Sequence, residues 1–479
     1  MRPGTLRFRF HSVDGRDSLS RGGKGAVMRP SKTEAGGSGD LFRARLDQII
    51  NMRHELVRLA DELDWDWIDS ELADLYKPGG RPAVATRFMV GLLFLKHIYG
   101  LSDEAVCERW VHDPYFQYFT GEAFFRHDLP HDRSGMTHWR QRIGDRLDKL
   151  LAETLRVAHD TGALTKRDLA RVTVDTTVQP KNVTFPTDPK LMLTAIEQLG
   201  RLAKAHDVPL RQSYVRVAKR AAMMAGRYAH AKQFKRMNRQ LRFLRTRLGR
   251  LIRDIRRKVA GDDALEEVFA TALMRAVQIR FQKQRQRGRK IYSWHAPETE
   301  CIGKGKAHKP YEFGCKVSIT TTNRRAKGGQ FVLHAKAFHG NPYDGHTLAT
   351  VLAETQALTG REIQRVYVDK GYRGHNAPKP LRVYRSGQKR GVHGQIKREL
   401  RRRSAIEAVI GHLKTDGHLD RNFLKGRHGN HANAVLTAVG YNLRLILNWL
   451  RILCAQILKA LYDACRRLFP SIAQITDQI

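Results

Sequence analysis

The chain has 479 residues, with 86 Lys and Arg against 47 Asp and Glu, a formal charge of +39 at pH 7. That excess goes beyond the demands of solubility and implies a polyanionic partner, nucleic acid rather than a membrane surface, because the cations run the whole length. A membrane span is excluded: the most apolar stretch, YNLRLILNWLRILCAQILKALY, is broken by Arg444, Arg451 and Lys459 and reads as a core or interface helix.

The length predicts two to four domains. The five cysteines (Cys107, Cys301, Cys315, Cys454, Cys465) form no CxxC pair and no apolar leader opens the chain, so a reduced, cytoplasmic protein is expected. His295, Cys301, His308 and Cys315 alternate, but without the close ligand pairing that structural zinc prefers.

Residues 1–40, rich in Gly, Arg and Ser, are expected to be a disordered basic arm, with Met28 an alternative start. Residues 41–165 read as a helical domain. Its first stretch, LFRARLDQIINMRHELVRLADELDWDWIDSELADLY, repeats apolar residues at three and four until Gly79, Gly80 and Pro82 break it. ATRFMVGLLFLKHIYG then ends at Gly100, and Ser102 caps SDEAVCERWV, two helices across a glycine turn like a helix-turn-helix. A third helix from a Ser134 cap carries Thr137, His138, Arg140, Gln141 and Arg142 in its first turns. A DNA-recognition helix would present residues there, although a plain helical scaffold produces the same pattern.

The β-branched run RVTVDTTV predicts a strand with Asp175 near its middle, and a carboxylate in an apolar strand needs a partner, whether a buried ion pair or a ligand. Residues 191–290 follow as a basic helical insertion holding 26 Lys and Arg but only 7 Asp and Glu. Leu241, Leu244, Leu248, Leu251 and Ile255 recur at three and four, which predicts an inserted helical hairpin or short coiled coil. Its arginines suit a DNA-backbone grip or a dimer arm, against the plainer reading of a solvated helix packed on itself.

YEFGCKVSITTT and GQFVLHAKAFHG read as hairpin strands about NRRAKG, and GHTLATVLAETQALTG as a helix. VYVDKGYRG repeats the earlier pattern, a strand delivering Asp369 into a glycine-flanked turn that permits close approach of a ligand. The expected fold class is α/β: a ribonuclease-H-like core over 166–190 and 291–430, with C-terminal helices over 431–479.

Glu407, in RRRSAIEAVIGHLK, completes a candidate triad with Asp175 and Asp369, since two-metal phosphoryl transfer needs hard carboxylate ligands around ions about 3.5 to 4 Å apart. Ser404-Ala405-Ile406-Glu407 also satisfies a capping box, in which the glutamate serves only its own helix. Ile406, Val409, Ile410 and Leu413 form the buried stripe, leaving Glu407, Gly411 and Lys414 on a neighbouring face. Arg403 joins that face if the helix begins before Ser404.

RFMVGLLFLKHIYGLSDEAVCERW, YFQYFTG, VTVDTTVQPKN, YEFGCKVS, GNPYDGHTL, VYVDKGYRG, RRRSAIEAVIGHLK and GNHANAVLTAVGYNLRLIL, in this order, resemble the insertion-sequence DDE transposases, specifically the insertion-sequence five group of the four/five superfamily. That superfamily's Tyr-x2-Arg-x3-Glu-x6-Lys signature falls on Leu400, Arg403, Glu407 and Lys414, so only the tyrosine is replaced. The resemblance implies that Asp175, Asp369 and Glu407 bind two divalent ions, Mg²⁺ with Mn²⁺ as a substitute. It implies Arg403 and Lys414 on DNA phosphate; Arg140 and Arg142 are the DNA-binding candidates of the recognition-helix reading. The implied partners are terminal inverted repeats and target DNA, bound by a homo-oligomer, a dimer in synapsis, associated with the bacterial nucleoid. A metal-dependent nuclease that cuts without joining, or an inactive DNA-binding regulator derived from a transposase, are the alternatives.

Overall fold

The first apolar repeat forms three short helices rather than a long one, α1 (Leu46–Ile49), α2 (Glu55–Glu62) and α3 (Trp65–Leu72), because new caps interrupt it. The backbone N–H of Leu56 donates to His54 Nδ1, and that of Trp67 to Asp64 Oδ1. The structure is a computed structural model describing residues 44–76, 84–283, 286, 288–303 and 310–468. The expected basic arm, Met28, the Gly79 to Pro82 break and His308 lie outside these residues.

Helix α4 (Thr86–Tyr99) is buried on almost every side and stops where Gly100 turns left-handed at φ 62°. Ser102 Oγ then accepts from Ala105 N at 3.0 Å and starts α5 (Asp103–His112), as its place after the glycine predicts. Helices α6 (Pro114–Phe119), α7 (Gly135–Ile143) and α8 (Leu147–Asp160) complete the bundle. The expected Ser134 cap is not formed. Ser134 is helical and makes no side-chain cap bond; its own N–H donates to Asp132 Oδ1 at 2.8 Å.

A short α9 (Lys166–Leu169) leads into β1 (Arg171–Pro180), which joins β2 (Glu300–Gly303), β3 (Tyr311–Thr322), β4 (Val332–Phe338), β5 (Arg365–Val368) and β6 (Arg382–Arg385) in one mixed sheet. The order is β2-β3-β1-β5-β6, with β4 on the same long β3. Pairs β1·β3, β2·β3 and β3·β4 are antiparallel, whereas β1·β5 and β5·β6 are parallel. At Gly314 a Cβ would stand 1.9 Å from the Gln179 carbonyl oxygen, so the β3 to β1 approach there admits only glycine.

The insertion departs from the expected hairpin or coiled coil. Its described residues form four helices, α10 (Asp188–Ala205), α11 (Val215–His230), α12 (Phe234–Val259) and α13 (Asp263–Phe281). The reason lies in α12: beside Leu244, Leu248, Leu251 and Ile255 it also buries Ile252 and Val259, a face too broad for one partner. These side chains form a core of their own with Leu199 and Phe269.

Helices α14 (Asp344–Thr359), α15 (Gly394–Arg402), α16 (Ala405–Thr415) and α17 (Gly426–Leu468) follow the strands. The N-terminal bundle, the sheet and α17 bury their apolar side chains in one continuous cluster. Asn442 of α17 pairs with the backbone of β4, accepting from Val332 N at 3.0 Å and donating to Val332 O at 2.8 Å, and so satisfies a sheet edge. Among the described residues no helix is long and apolar enough to cross a membrane.

Candidate active site

Strands β1 and β5 run parallel with Val174 beside Val368, so the next residue on each, Asp175 and Asp369, emerges at the same level of the sheet. Asp175 is still paired with Ile319 of β3, whereas Asp369 has left the ladder and enters a helical turn over Lys370–Tyr372. Their side chains are accordingly 19% and 50% exposed. Burial pushes the Asp175 carboxyl up to about 6, against a bond from Thr176 N (2.8 Å) and the charge of Arg403; the nearby Asp369 and Asp344 push it the same way as burial.

Glu407 arrives from the helical side. Arg403 (φ −49°, ψ −40°) and Ser404 (φ −60°, ψ −21°) keep helical backbone between α15 and α16, so Arg403 lies one turn before Glu407 on the same face. The capping box does not form: Ser404 makes no cap bond, and Glu407 Oε1 instead accepts from Arg403 Nη2 at 3.1 Å. The same guanidinium reaches the two aspartates, with Nη1 3.6 Å from Asp175 Oδ2 and 4.0 Å from Asp369 Oδ1. Three acids from β1, the end of β5 and α16 thus meet on one arginine that is itself 12% exposed.

Other groups border this centre. Asp344, at the start of α14, is bound by Lys316 Nζ at 2.8 Å. Tyr372 is buried, and burial, then the charges of Asp175 and Asp344, hold its hydroxyl well above the usual range. Glu407 is 66% exposed, a Cβ on Gly411 would meet open space, and Lys414 lies half-buried on the same helix.

Sequence reasoning missed Glu399, a lone acid in the basic run IKRELRRR. It is 6% exposed, accepts from Arg171 Nη1 at 2.8 Å and Arg365 Nε at 3.0 Å, and also binds the Tyr367 hydroxyl and Gln395. It therefore ties α15, and with it Arg403, to the starts of β1 and β5. Its isolation among cations was the available signal. Arg140 is turned inward: 5% exposed, it gives Nη1 to Asp103 Oδ1 at 2.9 Å, because it lies on the face of α7 shared by Met136 and Ile143. Arg142, with Thr137, His138 and Gln141, faces solvent.

As the side chains stand, no group of three or more His, Cys, Asp or Glu among the described residues could hold a metal ion. The donor chemistry nevertheless fits hard divalent cations, since three carboxylates converge and a monovalent guanidinium already occupies the space between them.

Fold and site define an α/β protein with an acidic centre in a cationic frame. Residues 44–142 match the family described as Transposase domain (DUF772), and residues 279–443 match the Transposase DDE domain, together more than half of the chain. A protein of Rhizobium meliloti described as uncharacterized protein ORF8 in nfe locus is 54% identical over 208 residues, which are 43% of this chain and 100% of that protein. No solved structure matches. The chain belongs to the DDE transposases, and it is an enzyme of that family.

Proposed function

We propose that this transposase cuts DNA at the terminal inverted repeats of its element and joins the freed 3′ hydroxyl ends to target DNA, in a ribonuclease-H-like core where Asp175, Asp369 and Glu407 hold two Mg²⁺ or Mn²⁺ ions. When bound, such ions neutralise charge at the scissile phosphate and lower the pKa of the attacking hydroxyl. The protein's part is positional. Asp175 is the fixed ligand, locked in the sheet between β3 and β5; Asp369 stands on a turn; Glu407, on the outer face of α16, is free to adjust. Lys414 neutralises a DNA phosphate beside them. Arg142 and its exposed neighbours on α7 contact the repeat, while Arg140 braces that helix through Asp103. The arginines of α12 grip the backbone, and two copies act together in synapsis.

The convergence of the three acids on one guanidinium carries this reading. A strand-transfer assay with precleaved repeat ends and Mg²⁺ tests it, since joined products are expected, whereas a nuclease would only hydrolyse and a regulator would do neither. Asp175→Ala, Asp369→Ala and Glu407→Ala should each abolish cleavage while retaining DNA binding. Near-parental cutting by any one of them removes that residue from the triad.

A further inference from the structure

The centre of the acidic cluster is filled by protein. Arg403 places Nη1 3.6 Å from Asp175 and 4.0 Å from Asp369, and Nη2 3.1 Å from Glu407. A guanidinium does not lose its proton in proteins, and its planar fork serves several carboxylate oxygens at once. Without a cation, three carboxylates in so small a space would repel one another and splay apart. With Arg403 in place they stay together, but at nitrogen-to-oxygen separations of 3.1 to 4.0 Å, far longer than the roughly 2.0 to 2.1 Å shell that Mg²⁺ requires. The guanidinium and a divalent ion cannot share this position.

We propose that Arg403 is a positioning residue that stands in for the metal: it holds Asp175, Asp369 and Glu407 together in the metal-free protein and yields its place when divalent ions bind. This rests on the reading of those three acids as metal ligands. Arg403 sits in the helical junction between α15 and α16, anchored behind by Glu399, so its backbone stays put while its long side chain exchanges partners. Its neighbours Arg401 and Arg402 already face solvent. Once displaced, the guanidinium is released toward that side with its charge uncompensated, ready for a phosphate oxygen of bound DNA. The same residue thus serves the acids first and DNA second, and metal loading and DNA binding become mutually favourable.

The test uses the full chain, Mn²⁺ as the probe, calorimetric titration without DNA, and thermal unfolding in EDTA and in Mn²⁺. Arg403→Gln should unfold at a lower temperature in EDTA, bind Mn²⁺ more tightly by on the order of tenfold, and recover its midpoint in Mn²⁺. Arg403→Lys, which keeps the charge but not the fork, should shift both readouts less and in the same sense; it decides the matter if the glutamine variant fails to fold. An unchanged or weaker Mn²⁺ affinity in these variants, with the EDTA midpoint lowered, would mean an ordinary structural ion pair and overturn the proposal. Asp175→Asn separates the two levels. If it binds Mn²⁺ as the parent does, the acids are not the ligands and the underlying reading fails first.

Discussion

Asp103 shows how much one side chain can carry in this chain. It lies between Lys96 of α4 and Arg140 of α7, and although burial raises its pKa, the bonds and charges of these two cations bring it from 3.8 down to about 2. Burial holds Lys96 below its ordinary value despite that contact. A carboxylate with a depressed folded pKa contributes stability that is complete above the unfolded value and disappears as pH falls through the folded one. Asp103→Asn should therefore lose roughly 2 kcal/mol near neutral pH. Urea titrations should show the gap to the parent closing below about pH 4. Glu399→Ala should cost about 1 to 3 kcal/mol, because it takes the shared acceptor from Arg171 and Arg365, which are 22% and 23% exposed and so are partly relieved by water. Denaturant midpoints check that value, and a loss under 1 kcal/mol would mean that the arginines find other partners.

At the scale of elements, the decisive contacts are between helices and strands remote in the chain. Helix α17 crosses α4 so closely at Gly440 that a Cβ would lie 2.4 Å from the His97 carbonyl oxygen. Gly440→Ala forces the two helices apart and is expected to destabilise by about 1 to 3 kcal/mol, read as a lowered thermal midpoint. The α15 to α16 junction works differently. Its helical backbone at Arg403 and Ser404 sets Arg403 and Glu407 one turn apart, so a residue that broke the turn would separate guanidinium from carboxylate without touching either.

At the scale of the whole molecule, the described residues form two large cores, besides a small cluster of Leu46, Ile50 and Val57. The larger joins the N-terminal bundle, the sheet and α17; the smaller belongs to the four-helix insertion. Because the insertion packs on itself, its outer face is free to serve a partner. Lys235, Arg236, Arg239, Arg242, Arg250, Arg253, Arg256 and Arg257 are exposed along α12, opposite its buried leucines. That helix of 26 residues is about 39 Å long, slightly more than one turn of duplex DNA. Replacing Arg239, Arg242, Arg250 and Arg253 by alanine should weaken DNA binding and flatten its salt dependence, by about 0.9 in log-log slope for each phosphate the variant no longer neutralises. Anisotropy titrations over a salt series measure this, and an unchanged slope would leave the face without a DNA role.

Much of this was legible in the order of residues. The turn at Gly100, the cap at Ser102, the strand carrying Asp175, the strand that delivers Asp369 into its turn, and the buried stripe of α16 are local patterns, set by backbone preference and by apolar periods of two and of three to four. Periodicity did not reveal that Arg140 turns inward to Asp103, that Glu399 gathers two arginines, that Asn442 completes a sheet edge, or that the insertion needs four helices to cover one broad apolar face. Least visible was the meeting of Arg403 with acids from three separate elements. Such contacts depend on which remote side chains share a volume after folding, and on charges that must be compensated there, so they exist only in the tertiary structure.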